Sequence, residues 1–335
     1  MRRFVIFCFI FVSFFCAMAE DAAPAADANA EVANSNEAAP ADPHHFIYFK
    51  PKLSVSFLNN HSVSGKTDGI YFQTDLDVVF NYKYVMNIHE FLGDLNLKEG
   101  LSYTPMFSGI VIASDLFKVD ARYNAMFHKY VGFYAKAGLE THFFPGYDYR
   151  GDETAYSVAG TKQAGTTKKF KLTPSGLPLY LTQGAGIFTR PLDKEYANLE
   201  ISLGLAAREV LVGDSLVVDD DGGTDEREVS ELTNIYDAGG EFVVTFKGIA
   251  EQNKIAYELM LKAMMPFYSK DRVERNLTWG DLFQLEAKAR VDFNVNKYLA
   301  FYYEFNLKRD FQIIKKWQMT NGLYLSLYYE LDKKM

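Results

Sequence analysis

Between Leu282 and Leu307 the chain reads LFQLEAKARVDFNVNKYLAFYYEFNL, and its polarity repeats with a period of two. Phe283, Leu285, Ala287, Ala289, Val291, Phe293 and Val295 share one parity, while Gln284, Glu286, Lys288, Arg290, Asp292 and Asn294 share the other. Successive side chains of a strand leave opposite faces, so this is a strand with one apolar and one charged side. After Asn296 and Lys297 the alternation resumes, with Leu299, Phe301, Tyr303, Phe305 and Leu307 opposed by Tyr302, Glu304, Asn306 and Lys308. The pair is a long hairpin. Any fold for this chain must accommodate that two-faced ribbon.

The same pattern begins at Phe46 and scarcely stops. Ile47, Phe49, Leu53, Val55 and Phe57 oppose Lys50, Lys52, Ser54 and Ser56, and Leu76, Val78, Phe80, Tyr82 and Tyr84 oppose Asp75, Asp77, Asn81 and Lys83. Further strands are expected near 95–103, 116–126, 131–143, 179–188, 199–212, 242–248, 255–265 and 323–331, about twelve in all, most of them approaching the ~10 residues of a membrane-spanning strand. A soluble sandwich alternates too, but the connections decide between the two. They run long, short, long, short: 59–69 and 86–93, 105–114 and 128–130, 144–176 and 191–197, 213–239 and 250–254, 266–280 and 296–297, then 310–320. Long outer loops alternating with short periplasmic turns describe an antiparallel transmembrane β-barrel. The apolar faces end in aromatic residues, and the opposite faces carry more charge than a packed core tolerates. Pro51 and Glu99 fall on the apolar parity, where a bulge or a shifted register is expected.

Residues 1–19 have the form of a secretory leader, with Arg2 and Arg3, an apolar run and Ala17-Met18-Ala19. Residues 20–45 follow as an Ala-, Pro- and acid-rich linker that cannot bury a core, with His44 and His45 at its end. Both cysteines, Cys8 and Cys16, lie in the leader, so no disulfide, thiol nucleophile or Cys-metal site is expected beyond it. A formal charge of -8 argues against nucleic acid as a partner. The domain expected is a barrel over 46–335, in the outer membrane of a Gram-negative bacterium. Its expected partners are outer-membrane lipid and the barrel-assembly machinery. Thr320, Gly322, Leu325 and Leu327 in TNGLYLSL resemble the recognition signal of that machinery, although the chain continues to Met335.

The charged parity would line the lumen. Its candidates are Lys50, Lys52, Asp75, Asp77, Lys118, Asp120, Arg122, Lys136, Glu140, His142, Glu286, Lys288, Arg290, Asp292, Glu304 and Lys308. The mixture permits either a salt-bridged, closed interior or a weakly selective channel. Glu140 and His142 share one parity and suggest a general base, but no spacing ties them to Ser102 or Ser202. The acidic run at 219–226 lacks EF-hand spacing and reads as a solvated outer loop. The loop at 147–174, with Lys162, Lys168, Lys169 and Lys171, could fold inward or face outward. No cofactor or metal is expected.

YAKAGLETHFFPGYDY at 134–149, with LYLTQGAGIF, NLEISLGL and NGLYLSLYYEL, resembles an outer-membrane β-barrel family, porin-like and defined only as a domain of unknown function. The resemblance implies a barrel and supplies no catalytic residue. The leading expectation is therefore a non-enzymatic passive pore or transporter for small polar solutes. The alternatives are a closed structural or surface-interaction barrel and, third, a barrel hydrolase acting on lipid or ester.

Overall fold

The computed structural model describes residues 44–335 apart from 62–68, 104–109, 195, 221, 252–253, 271, 273–275 and 335. The leader at 1–19 and all but the last two residues of the linker lie outside the described residues. The described strands are β1 (His44–His61), β2 (Gly69–Met86), β3 (His89–Tyr103), β4 (Ile110–His128), β5 (Val131–Thr141), β6 (Gly146–Val158), β7 (Thr161–Thr173), β8 (Leu179–Lys194), β9 (Ala197–Leu211), β10 (Leu216–Val218), β11 (Arg227–Glu231), β12 (Ile235–Ala250), β13 (Ile255–Ser269), β14 (Gln284–Asn294), β15 (Leu299–Arg309), β16 (Trp317–Tyr328) and β17 (Leu331–Lys334). A single helical turn, α1 (Trp279–Leu282), precedes β14.

Twelve of these strands form one antiparallel ring in the order β16-β15-β14-β13-β12-β9-β8-β5-β4-β3-β2-β1. The ring closes where β1 pairs with β16, from Lys52 opposite Tyr328 to His61 opposite Met319. Closure leaves no open edge in the membrane-crossing part, which is what a bilayer demands of strands. The opening hairpin is β14 and β15, with Ala289 opposite Phe305 and Arg290 opposite Glu304.

Exposure along β1 shows which face is which. Leu53, Val55 and Phe57 are 50%, 39% and 61% exposed on the outside, whereas Ser54, Ser56 and Asn60 are 1%, 0% and 4% exposed on the inside. A water-soluble barrel would reverse this arrangement. Apolar outside and polar within is the signature of a barrel solvated by lipid. The outer face carries aromatic residues toward both ends, among them Phe133, Phe301 and Tyr303 toward the short turns and Phe72, Phe143 and Phe267 toward the long loops.

The 86–93 connection proves to be short, since β2 runs to Met86 and β3 starts at His89, with Asn87 at φ 55°. Asn tolerates that left-handed conformation better than most residues. His44 and His45 belong to β1, opposite Val85 and Tyr84, so adjacent-residue alternation sends them to opposite faces. Pro51 does stay on the apolar parity. It sits at the break between β16 and β17, opposite the unpaired residues 329–330, where its carbonyl accepts from Tyr329 N at 3.1 Å. Glu99 also stays outward, opposite Asp115, although a register shift lies one residue away at Gly100 and Leu101.

Two long loops are more ordered than their composition suggests. The 147–174 stretch is the hairpin β6–β7, and β11 joins it in parallel to make a four-stranded sheet, β10-β11-β6-β7. That sheet has its own core in Tyr156, Leu172 and Val229. A second apolar cluster, Val210, Val212, Val217, Leu232, Ile235, Ile313 and Ile314, packs at the long-loop end of the barrel.

Candidate lumen site

Inside the barrel lies a chamber of about 400 Å³. Of the residues placed on the lumen by parity, Lys118, Asp120, Arg122, Lys136, Glu140, Glu286, Lys288 and Lys308 line it. Four strands bring them from two sides of the ring, the neighbours β4 and β5 and the neighbours β14 and β15. Short-range pairing sets most of their positions: Lys118 meets Asp120 at 3.2 Å and Lys288 meets Glu286 at 2.9 Å, each two residues along one face of a strand.

Other contacts cross the lumen. Arg122 on β4 reaches Glu200 on β9 at 2.6 Å, and Lys136 on β5 pairs with Glu241 on β12, each three places away in the ring. Lys308 on β15 lies 5.3 Å from the centre of the Tyr180 ring on β8, five places away and nearly opposite. These contacts hold the walls at a fixed separation. They also narrow the lumen.

The remaining sequence candidates stand outside the chamber's lining. Lys52 and Asp77 form a buried pair at 2.7 Å beside the parallel stack of Tyr302 and Tyr324, whose ring centres are 4.3 Å apart. Arg290 covers the face of Tyr302 at 4.1 Å and grips Asp292 through two hydrogen bonds of 2.7 and 2.6 Å, with Glu304 at 3.6 Å. This part of the interior is packed rather than open. Asp75 accepts from Ser56, Gln73 and Ser114 at 3.0, 2.7 and 2.6 Å. Gly100 makes that approach possible, because a Cβ there would lie 2.3 Å from the Asp75 carboxylate. Lys50 pairs with Glu330 at 3.1 Å at the short-turn end.

His142 lies just past the end of β5. Its Nδ1 donates to the Asp115 carbonyl at 2.6 Å, and it lines a separate pocket with Phe144, Tyr147 and Tyr149. Glu140 and His142 are thus not brought to one site. Ser102 donates its hydroxyl to the Phe72 carbonyl at 2.7 Å. Among the described residues no group of three or more His, Cys, Asp or Glu is placed to hold a metal. In the acidic run, Asp220 pairs with Arg227 at 2.8 Å and Glu226 with Lys162 at 2.5 Å, while Asp221 lies outside the described residues.

The contacts that close the long-loop end were not apparent from sequence, although the parity of β9 points Arg208 inward. Arg208 on β9 is 8% exposed; its guanidinium pairs with Asp310 and reaches Asp237 at 2.9 Å and Gln312 at 2.6 Å. Asp310 and Gln312 belong to the connection after β15, which therefore folds over the lumen and packs Ile313 and Ile314 into the apolar cluster. Glu241 was missed for a simpler reason. The alternation of Phe242, Val244 and Phe246 extends one residue further back and places it inward.

On the sheet at the long-loop end, Asp148 is 1% exposed and accepts from Arg150, Arg227 and Tyr156 at 3.0, 2.8 and 3.1 Å. Burial, and then the Asp148 carboxylate, push the Tyr156 phenol above its ordinary range.

No family model and no curated protein sequence matches the chain. Solved structures of similar shape include the translocator domain of the autotransporter NalP from Neisseria meningitidis, at 7% identity and TM-score 0.37, covering 85% of this chain and 88% of that one. An outer-membrane channel from Pseudomonas putida F1 is 10% identical, with TM-score 0.37 and coverage of 89% and 100%. The toluene transporter TodX of Pseudomonas putida is 8% identical, with TM-score 0.35 and coverage of 87% and 89%. Each likeness is to the shape of a barrel.

Proposed function

We propose that the protein is an outer-membrane pore that passes small polar solutes through its lumen, with the short turns in the periplasm and the long loops outside the cell. The observation that carries this reading is the chamber of about 400 Å³, walled by charged side chains inside a barrel whose exterior is apolar. Charged groups are costly to keep in a dry interior, so their number favours a hydrated one. Planar-bilayer conductance of the refolded protein is the test. Discrete channel events are expected, and their absence would remove the pore.

A closed, surface-interaction barrel is the second reading. It is favoured by the Lys308–Tyr180 contact across the lumen and by the Arg208–Asp310 pair beneath the folded connection. The β6–β7 sheet would then be the part that meets partners. Silent bilayers together with a correctly folded barrel would support it.

A hydrolase reading has less to stand on, because Glu140 faces the chamber and His142 a different pocket. Should the protein hydrolyse lipid or ester substrates, the rate is expected to be unaltered in His142→Ala.

A further inference from the structure

The chamber's cations and carboxylates are not presented alike. Glu241 is 2% exposed, yet two ammonium groups share it: Lys136, and Lys262 from β13 at 3.3 Å. Those two side chains remain 26% and 30% exposed and line the chamber. The carboxylate is behind them, in the wall. On the same side, Glu200 is shared by Arg122 and by Arg190, at 2.6 and 2.7 Å. Arg122 in turn covers the Tyr134 ring at 4.8 Å, with Lys136 at 6.0 Å from the same ring. Around Glu241 two ammonium groups share one carboxylate, and these donors rather than that acceptor face the cavity.

Elsewhere in the chamber cations and carboxylates are mixed. Lys118 lies 3.2 Å from Asp120 and opposite Glu140, and Glu286 lies 2.9 Å from Lys288 and opposite Lys262 in the strand register. Carboxylates also reach the cavity where Asp94 and Asp120 face each other across β3 and β4 beside Lys118. Around Arg208, by contrast, Asp237 and Asp310 are enclosed, with side chains 0% and 1% exposed. They offer little to a mobile cation.

We infer that Lys136 and Lys262 form an oxyanion-binding site in the lumen, taking a small carboxylate or phosphate. Resting on the pore reading, this makes the transported solute an anion of that kind. Three features fit. An ammonium gives three donors and Glu241 uses few of them, so each lysine retains hydrogen bonds for a second anion. The cavity has room for a small solute beside the wall. Arg122, held by Glu200 and stacked on Tyr134, keeps a positive field at the site without being free to swing away.

The test is calorimetric titration of the refolded protein in detergent with sodium phosphate and, separately, with sodium succinate. Binding of one anion per barrel is expected for at least one of the two, and the better of them identifies the solute chemistry. Lys262→Gln retains the Lys136–Glu241 pair and the fold, and should weaken binding about tenfold, the loss of one charge-assisted hydrogen bond. Lys50→Gln, at the short-turn end, should leave it unchanged. No binding of either anion, or equal binding by Lys262→Gln, would overturn the site. Reversal potentials in a salt gradient separate this inference from the pore itself. Channel events that favour anions in the wild type, and favour them less in Lys262→Gln, support both. Channel events with cation preference overturn the anion assignment alone. Silent bilayers with anion binding intact overturn the pore and leave the site standing.

Discussion

Arg208→Ala is expected to be among the most damaging single substitutions in the barrel. The guanidinium is enclosed at the long-loop end between Asp237 and Asp310, whose side chains are 0% and 1% exposed, and Gln312 accepts from it at 2.6 Å. Removing it leaves two carboxylates buried together without an ion-pair partner, with Lys308 the nearby cation that remains. Breaking a buried pair by deleting one partner costs about 3–5 kcal/mol, which is roughly two to four decades in the unfolding equilibrium. Replacing the whole cluster with neutral groups of similar size avoids that penalty. Arg208→Met combined with Asp237→Asn and Asp310→Asn should therefore recover most of what Arg208→Met alone loses. Urea unfolding in lipid vesicles, followed by heat-dependent gel mobility, measures both. The connection after β15 should also become a protease target at Lys315 and Lys316 in Arg208→Ala, because Asp310 and Gln312 lose their anchor. If Arg208→Ala unfolds within about 1 kcal/mol of the wild type, the scale of an exposed pair, or if the triple variant is no better than Arg208→Met, the reasoning is wrong.

Three other outcomes are expected. Ala289→Arg places a charge on the outward face opposite Phe305 and should destabilise the barrel by about 2–4 kcal/mol if it lies near the bilayer midplane, whereas the adjacent inward change Lys288→Ala should cost much less; urea midpoints in vesicles compare them. Gly204→Val should prevent folding to the heat-modifiable form, because a Cβ there would lie 2.3 Å from the Ala185 carbonyl and 2.7 Å from the Tyr134 hydroxyl, while Gly240→Ala, with no atom within 4 Å, should fold normally. The sheet at the long-loop end should loosen as pH rises above about 10, the ordinary range of a tyrosine. The folded state holds Tyr156 above that range, so the stabilisation is fully present below it and is lost as the phenol ionises. Limited proteolysis at pH 9 and 11 reads this, and Tyr156→Phe should reduce the difference.

Strand number and facing were legible in the sequence because lipid imposes one rule on every strand. An outward residue must be apolar and an inward one may be polar, so the two-residue period survives through β1, β14 and β15 with few interruptions. The loop alternation added the ring's up-and-down path. The sheet β10-β11-β6-β7 was not legible, since β11 pairs with β6 in parallel across a long separation and neither strand carries a clean alternation. The chamber was half legible. Parity points Lys118, Asp120, Arg122, Lys136, Glu140, Glu286, Lys288 and Lys308 inward, and these eight line the chamber, but parity says nothing about height along the barrel or about what crosses it. That is why Lys52, Asp77, Arg290 and Asp292 share the same parity yet belong to the packed region around Tyr302 and Tyr324. It is also why the Arg208–Asp310 contact, made by a connection folding back, left no periodic trace.

The central claim, that this ring of strands faces lipid with one parity and its own lumen with the other, is tested most directly by bromolipid quenching. Trp279 and Trp317 are replaced by Phe, and a single Trp is placed at Phe301, 45% exposed on the outside, or at Tyr302, 1% exposed within. In vesicles containing brominated lipid, strong quenching at 301 and weak quenching at 302 are expected. Equal quenching at the two positions, or none at 301, would contradict the barrel's orientation in the membrane.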